Sequence, residues 1–203
     1  MYIDEGKESC VYKFGNEALK IYRPTCDKNR LNESSADILS HYSSIMKRIL
    51  LPKRLVYDDG YNFCGYTTDF IYRASTENLP KMKMEKFLSE INLLKEDVTF
   101  LGENGISVDD LFIGNTIYNG DIYLIDPGSY QKNSNGDYGL VRNNLDMLND
   151  LIIDSFFGMV KMTKKQKEHI FDIMMDYRYV GDFILETADS NENMRQYVKR
   201  VIR

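Results

Sequence analysis

Gly105-Ile106-Ser107-Val108-Asp109-Asp110-Leu111-Phe112-Ile113-Gly114-Asn115 leads towards Ile117-Tyr118-Asn119-Gly120-Asp121-Ile122-Tyr123-Leu124-Ile125, and Asp126-Pro127-Gly128 follows at once. The middle stretch is the strongest local signal in the chain. Asn-Gly favours a type I′ turn, and the β-branched and aromatic residues flanking it favour pleated strands. A tight hairpin is expected, and a hairpin forces its two ends together. Asn115 and Asp126 should therefore emerge side by side, with Asp110 five residues before Asn115 on the approaching loop. Three oxygen-bearing side chains, two of them carboxylates, would share one rim.

Convergent hard oxygens with open positions suit Mg²⁺, which combines a few carboxylates with substrate phosphates and retained water. The remaining carboxylate can orient an attacking hydroxyl and accept its proton. Phosphoryl transfer needs both: a metal on the phosphates and a base aimed at the acceptor.

Upstream of this stretch the chain reads first as strands. Ser9-Cys10-Val11-Tyr12-Lys13-Phe14 alternates, Gly15-Asn16 punctuates, and Glu17-Ala18-Leu19-Lys20-Ile21-Tyr22 alternates again, which is a hairpin signal. From Ser34 to Leu50 the apolar residues Ile38, Leu39, Tyr42, Ile45, Met46 and Ile49 follow helical spacing. Ser34-x-x-Asp37 can serve as a capping box, or the helix can start earlier, at Asn32, and Pro52 closes it. A second hairpin is expected from Leu55-Val56-Tyr57, the turn Asp58-Asp59-Gly60 and the strand Phe63 to Ile71. The opening 72 residues thus give about four strands with one helix after the second.

The remainder reads as helical apart from the Asn-Gly hairpin. Phe87, Leu88, Ile91, Leu94, Val98 and Leu101 mark a helix over 84–101, and further helices are expected near 143–157, 163–177, 179–187 and 191–202. Residues 131–139 read as a polar loop.

Asp110-Leu111-x-x-x-Asn115, a hairpin and then Asp126-x-Gly128 resembles the catalytic loop and metal-binding motif of the protein-kinase-like superfamily. The likeness runs over roughly residues 3–157. It implies that Asp110 is the catalytic aspartate and that Asn115 and Asp126 are Mg²⁺ ligands. Glu17-Ala18-Leu19-Lys20-Ile21-Tyr22 resembles the strand carrying the ATP-anchoring lysine, with Lys20 in that role. Gly6-Lys7-Glu8-Ser9-Cys10-Val11 resembles a reduced phosphate-covering loop, of which Gly6 is the retained glycine. Gly65 to Ile71 resembles the strand entering the hinge, so the backbone of Asp69, Phe70 and Ile71 would meet adenine. Glu33 or Asp37 would pair with Lys20, and Glu33 has the longer reach.

The resemblance implies an α+β, bilobal, protein-kinase-like fold. Residues 1–72 would form a small antiparallel-sheet N-lobe and residues 73–203 a truncated helical C-lobe, with the hinge near 69–78. The implied activity is that of a minimal bacterial Ser/Thr protein kinase using ATP and Mg²⁺ on a protein substrate. A pseudokinase, binding nucleotide or acting as a scaffold without transfer, is the alternative. So is a small-molecule phosphotransferase of the aminoglycoside or choline kinase type, which Gly114-Asn115 resembles. The chain departs from the kinase pattern where Val108-Asp109 replaces His-Arg and Pro127 replaces the Phe of Asp-Phe-Gly. About 15 residues separate Gly128 from the next expected helix, with no Ala-Pro-Glu. Asp146, Asp150 and Asp154 recur every four residues, read either as an exposed acidic stripe or as a brace for the catalytic loop.

Composition agrees and excludes other classes. The 203 residues suit one domain or two small lobes sharing a cleft, and 43% hydrophobic content is enough for a packed core. No uncharged apolar run approaches the roughly 18 residues of a membrane span. The polar, acidic start is unlike a secretory signal. Three cysteines without a Cys-x-x-Cys pair argue against disulfides and structural zinc, so a cytoplasmic location is expected. The formal charge of −5 gives no nucleic-acid footprint. The basic end around Arg195, Lys199, Arg200 and Arg203 reads as a helix terminus complementing its dipole.

Overall fold

Alternating side chains on either side of Gly15-Asn16 fold as the pattern implies. The computed structural model describes residues 1–6, 8–24, 31–72, 75–133, 138–174 and 177–201. It places an edge strand β1 (Tyr2–Glu5) beside β2 (Ser9–Phe14), and β2 pairs antiparallel with β3 (Glu17–Tyr22) from Ser9↔Tyr22 to Phe14↔Glu17. Gly15 takes the left-handed φ of 60° that the two-residue turn requires.

Helix α1 (Glu33–Ser40) is far shorter than the periodicity suggests. Its N-cap is Asn32, whose side chain accepts the Ser35 N–H at 2.8 Å, so Ser34-x-x-Asp37 is not the capping box. Beyond Ser40 the chain continues as local turns, with the N–H groups of Tyr42, Ser43, Ile45 and Met46 bonding back three or four residues, and from Lys47 on the backbone finds partners elsewhere. The Asp97 carboxylate accepts the N–H groups of Lys47, Arg48 and Ile49 at 2.6–3.0 Å. Leu124 then donates to the Arg48 carbonyl at 2.8 Å and accepts from Leu50 at 2.9 Å. Residues 47–50 are held extended against another element, and Pro52 is not what ends the helix.

The second hairpin forms from β4 (Arg54–Tyr57) and β5 (Phe63–Asp69), and β5 also pairs with β3. The result is a five-stranded antiparallel sheet in the order β1-β2-β3-β5-β4, one strand more than expected because Tyr2–Glu5 pairs too. Phe70 and Ile71 lie beyond the end of β5.

Helix α2 (Met84–Glu103) extends two residues past its expected end and is the spine of the remainder. Its Phe87, Ile91, Leu94, Val98 and Leu101 are fully buried. Strand β6 (Ile106–Ser107) precedes the hairpin of β7 (Thr116–Tyr118) and β8 (Ile122–Leu124). Tyr118 pairs with Ile122, so three residues turn the chain and the expected two-residue type I′ turn is absent. Asp121 is drawn into the loop by Lys86, 2.5 Å from its carboxylate, and by Asn119, whose side chain accepts its N–H at 3.3 Å.

The stretch expected as a loop over 131–139 begins instead as β9 (Gln131–Lys132), antiparallel to β6, and Gly139 already belongs to α3 (Tyr138–Asp150). Residues 134–137 lie outside the described residues. The chain leaves α3 through a π-helical turn, Leu151–Phe156, and a 3₁₀ turn, Phe157–Met159. Then follow α4 (Lys164–Met174), α5 (Val180–Thr187) and α6 (Met194–Val201). One hydrophobic cluster runs from Tyr22, Leu39 and Tyr66 under the sheet to Phe156, Ile184 and Tyr197 among the helices. The architecture is α+β. Among the described residues, no helix is long and apolar enough to cross a membrane.

Candidate functional site

The β7–β8 hairpin brings its two ends together as its strands imply, through a three-residue turn. Thr116 pairs with Leu124, and the Ile125 N–H donates to the Asn115 carbonyl at 2.8 Å, which brings Asn115 beside Asp126. Asn115 Nδ2 reaches back to the Asp110 carbonyl at 3.0 Å and to its carboxylate at 3.3 Å. Asp110 and Asp126 both adopt left-handed backbone, with φ of 61° and 63°. Such conformations are uncommon outside glycine, cost energy, and cluster at functional sites where the surroundings enforce them.

Lys20 sits mid-strand on β3, opposite Val11 on β2 and Tyr66 on β5. Its ammonium forms an ion pair with Asp126 and lies 5.8–5.9 Å from the ring centroids of Tyr22 and Tyr66. The Lys20 side chain is 13% exposed and that of Asp126 38%, so the lysine is rooted in the sheet while the aspartate faces the opening. Burial, the neighbouring Tyr22 and the Asp126 charge push the Tyr66 hydroxyl well above its ordinary value, so it stays protonated.

Behind Asp126, Tyr130 is buried and Ser129 Oγ donates to the Asp109 carbonyl at 3.0 Å, fastening the Gly128 segment to the Asp110 loop. A cavity of about 300 Å³ opens here, lined by Glu8, Asp110, Asp126, Gly128 and Ser129. Four of the residues singled out in the sequence thus form two direct pairs, Lys20 with Asp126 and Asn115 with Asp110, which the hairpin and the shared cavity bring to one place.

The others are placed differently. Glu33 accepts the Tyr57 hydroxyl at 2.8 Å, and the carboxylate that meets Lys20 is Asp126. Gly6 donates its N–H to the Ser9 carbonyl at 2.9 Å and accepts from Arg23, while Glu8 of the same loop reaches the cavity. Asp69 is ion-paired with Lys53 at 2.7 Å, the Phe70 N–H is committed to the Asn16 carbonyl, and Ile71 follows half-buried. Hinge residues 73 and 74, loop residue Lys7, Cys26 and Arg203 lie outside the described residues.

Asp146, Asp150 and Asp154 are all exposed, which is the acidic-stripe reading. The brace of the Asp110 loop is Asn144, fully buried on α3. Its Oδ1 accepts the Val108 N–H at 2.9 Å and its Nδ2 donates to the carbonyls of Val98 and Ile106, each at 3.0 Å. Gly102 admits this contact: a methyl group there would press on the Val141 backbone and the Asn144 amide.

A second unforeseen group stands behind the hairpin. Glu90, fully buried on α2, accepts from Arg48, from Lys86 at 2.6 Å and from the Ile122 N–H at 3.0 Å. Burial alone would raise its pKa, but the Arg48 and Lys86 bonds and the Ile122 N–H outweigh it and hold the carboxyl below its ordinary value.

Among the described residues, no three His, Cys, Asp or Glu side chains converge as a metal site. One carboxylate and one amide oxygen, Asp126 and Asn115, are nevertheless a hard-oxygen set of the kind Mg²⁺ accepts when phosphates complete its shell. No protein-family model matches the chain, and no curated protein matches its sequence.

Proposed function

We propose that this chain is an ATP- and Mg²⁺-dependent phosphotransferase of protein-kinase-like, bilobal design, acting as a minimal Ser/Thr protein kinase on a protein hydroxyl. The observation that carries the reading is the contact of Lys20 with Asp126, on a rim that also joins Asn115 to Asp110. A cation anchored in a sheet and three oxygen donors on one rim are what a nucleotide's phosphates and an acceptor hydroxyl require together.

In this reading the sheet presents Lys20 to the α- and β-phosphates, which take the place of the Asp126 carboxylate at the ammonium. Asn115 and Asp126 would hold Mg²⁺, which would supply positive charge against the phosphates. Asp110 orients the acceptor hydroxyl and takes its proton as the acceptor oxygen bonds to the γ-phosphorus. The bond from that phosphorus to the bridging oxygen breaks, and ADP leaves. Asn115, bonded to Asp110 through its amide nitrogen, keeps the base aligned. Catalysis rests on positioning and electrostatics, with no covalent enzyme intermediate.

A pseudokinase is the second reading. It is favoured by Glu33 bonding Tyr57 while Lys20 is satisfied by Asp126 within the chain. Calorimetry with ATP and Mg²⁺ beside transfer of labelled γ-phosphate separates the two. Binding with transfer, lost in Asp126→Asn, supports the kinase, and binding without transfer supports the pseudokinase.

A further inference from the structure

Tyr66 stands directly opposite Lys20 where β5 pairs with β3, and its side chain is fully buried. Its hydroxyl is buried with it and, among the described residues, has no hydrogen-bond partner. The Tyr22 ring stands edge-on at 6.1 Å, but the Tyr22 hydroxyl oxygen accepts the Leu31 N–H at 3.2 Å and does not meet Tyr66 in bonding geometry. A buried hydroxyl left unbonded loses its hydration and gains nothing in return, so phenylalanine would fill this space at lower cost. Packing alone does not account for the oxygen. Burial first, then Tyr22 and the Asp126 charge, keep the hydroxyl protonated, so it can still donate. What it lacks is an acceptor.

An acceptor stands close by and is already engaged. The Lys20 ammonium lies 5.9 Å from the centre of the Tyr66 ring and is ion-paired with Asp126. If Lys20 turns to another anion, Asp126 loses the cation that now balances it, and its carboxylate needs a donor. We infer that Tyr66 is a positioning residue whose hydroxyl donates to the Asp126 carboxylate once Lys20 has left it. The exchange satisfies both groups at once, and it keeps in the site the carboxylate that would ligate Mg²⁺. That a nucleotide draws Lys20 away rests on the phosphotransferase reading. The exchange itself does not, because removing the lysine by substitution brings it about as well.

Thermal unfolding of the full chain tests this in a double-mutant cycle of wild type, Tyr66→Phe, Lys20→Met and the double variant. In wild type, Tyr66→Phe should raise the melting temperature by about 2–4 °C, because an unbonded hydroxyl is removed. In Lys20→Met the same substitution should lower it, because there the hydroxyl is bonded to Asp126. A shift of the same sign in both backgrounds, as a packing role alone would give, overturns the inference. Calorimetric titration with ATP and Mg²⁺ is a second arm that does not require Lys20→Met to fold. Tyr66→Phe should bind about tenfold more weakly than wild type although it is the more stable protein. Equal affinity of the two overturns the inference. No binding by wild type overturns the phosphotransferase reading instead, and the cycle still decides the exchange.

Discussion

Lys20 on β3 and Asp126 at the foot of β8 form an ion pair although 106 residues separate them in sequence. That contact fastens the sheet to the helical part of the chain at the one rim where Asp110 and Asn115 also meet. Substitutions at Asp126 therefore test geometry and chemistry together. Asp126→Asn removes the charge but keeps a side chain that tolerates left-handed backbone, whereas Asp126→Ala forfeits both. Urea melts should show the alanine variant less stable than the asparagine variant by about 1 kcal/mol. Both should lose Mg²⁺-dependent nucleotide binding.

Gly65 on β5 lies where a methyl group would overlap the Lys20 carbonyl. Gly65→Ala should push β3 away, at a cost of about 2 kcal/mol from overpacking. Because Lys20 moves with the strand, nucleotide affinity should fall further than the melting temperature alone explains. Titration of the folded variant well below its melting temperature checks this.

Asn144 carries three buried backbone groups at once, and only an amide does so, since it accepts from Val108 while donating to Val98 and Ile106. Asn144→Ala should cost about 3 kcal/mol, because each orphaned buried partner costs about 1–3 kcal/mol. Asn144→Asp should fare little better, as it cannot donate. Thermal unfolding of the two variants measures this directly.

Glu90 sets an acid limit on stability. Its folded pKa lies below that of the unfolded chain, so the unfolded state binds more protons between the two values. The contribution is present above the ordinary carboxylate range and is lost as pH falls through the folded value. Glu90→Gln should cost about 3 kcal/mol at pH 7, as expected when a buried ion pair is broken. It should also flatten the acid limb, so that the difference from wild type shrinks as pH drops below about 4. Denaturant melts from pH 3 to 7 test both.

These four residues also mark what the sequence does and does not reveal. The hairpin through Asn119-Gly120 and the strand pattern around Lys20 are legible because alternation is local, although the two-residue turn read from Asn-Gly forms with three residues. Asn115 beside Asp126 then follows from the hairpin alone. Local signals mislead when a distant side chain settles the backbone. Periodicity carries a helix from Ser34 to Leu50, but the helix gives way to local turns after Ser40, and Asp97, some 50 residues later, captures the N–H groups of Lys47 to Ile49. Asn144 hides because one asparagine on a polar helix looks like any other, and its role exists only once α2, β6 and α3 are packed. The acids at 146, 150 and 154 attract notice by spacing, yet they face solvent. Glu33 looks like the partner of Lys20 by sequence distance, and Tyr57 claims it in space.

The central claim is that Lys20, Asp110, Asn115 and Asp126 form one Mg²⁺–nucleotide site. Calorimetric titration of wild type and Asp126→Asn with ATP, each with and without Mg²⁺, tests it most directly. The account predicts saturable binding by wild type that requires Mg²⁺ and is lost in Asp126→Asn, with both proteins folded. No binding by wild type at millimolar ATP, or equal binding by the two proteins, would contradict it.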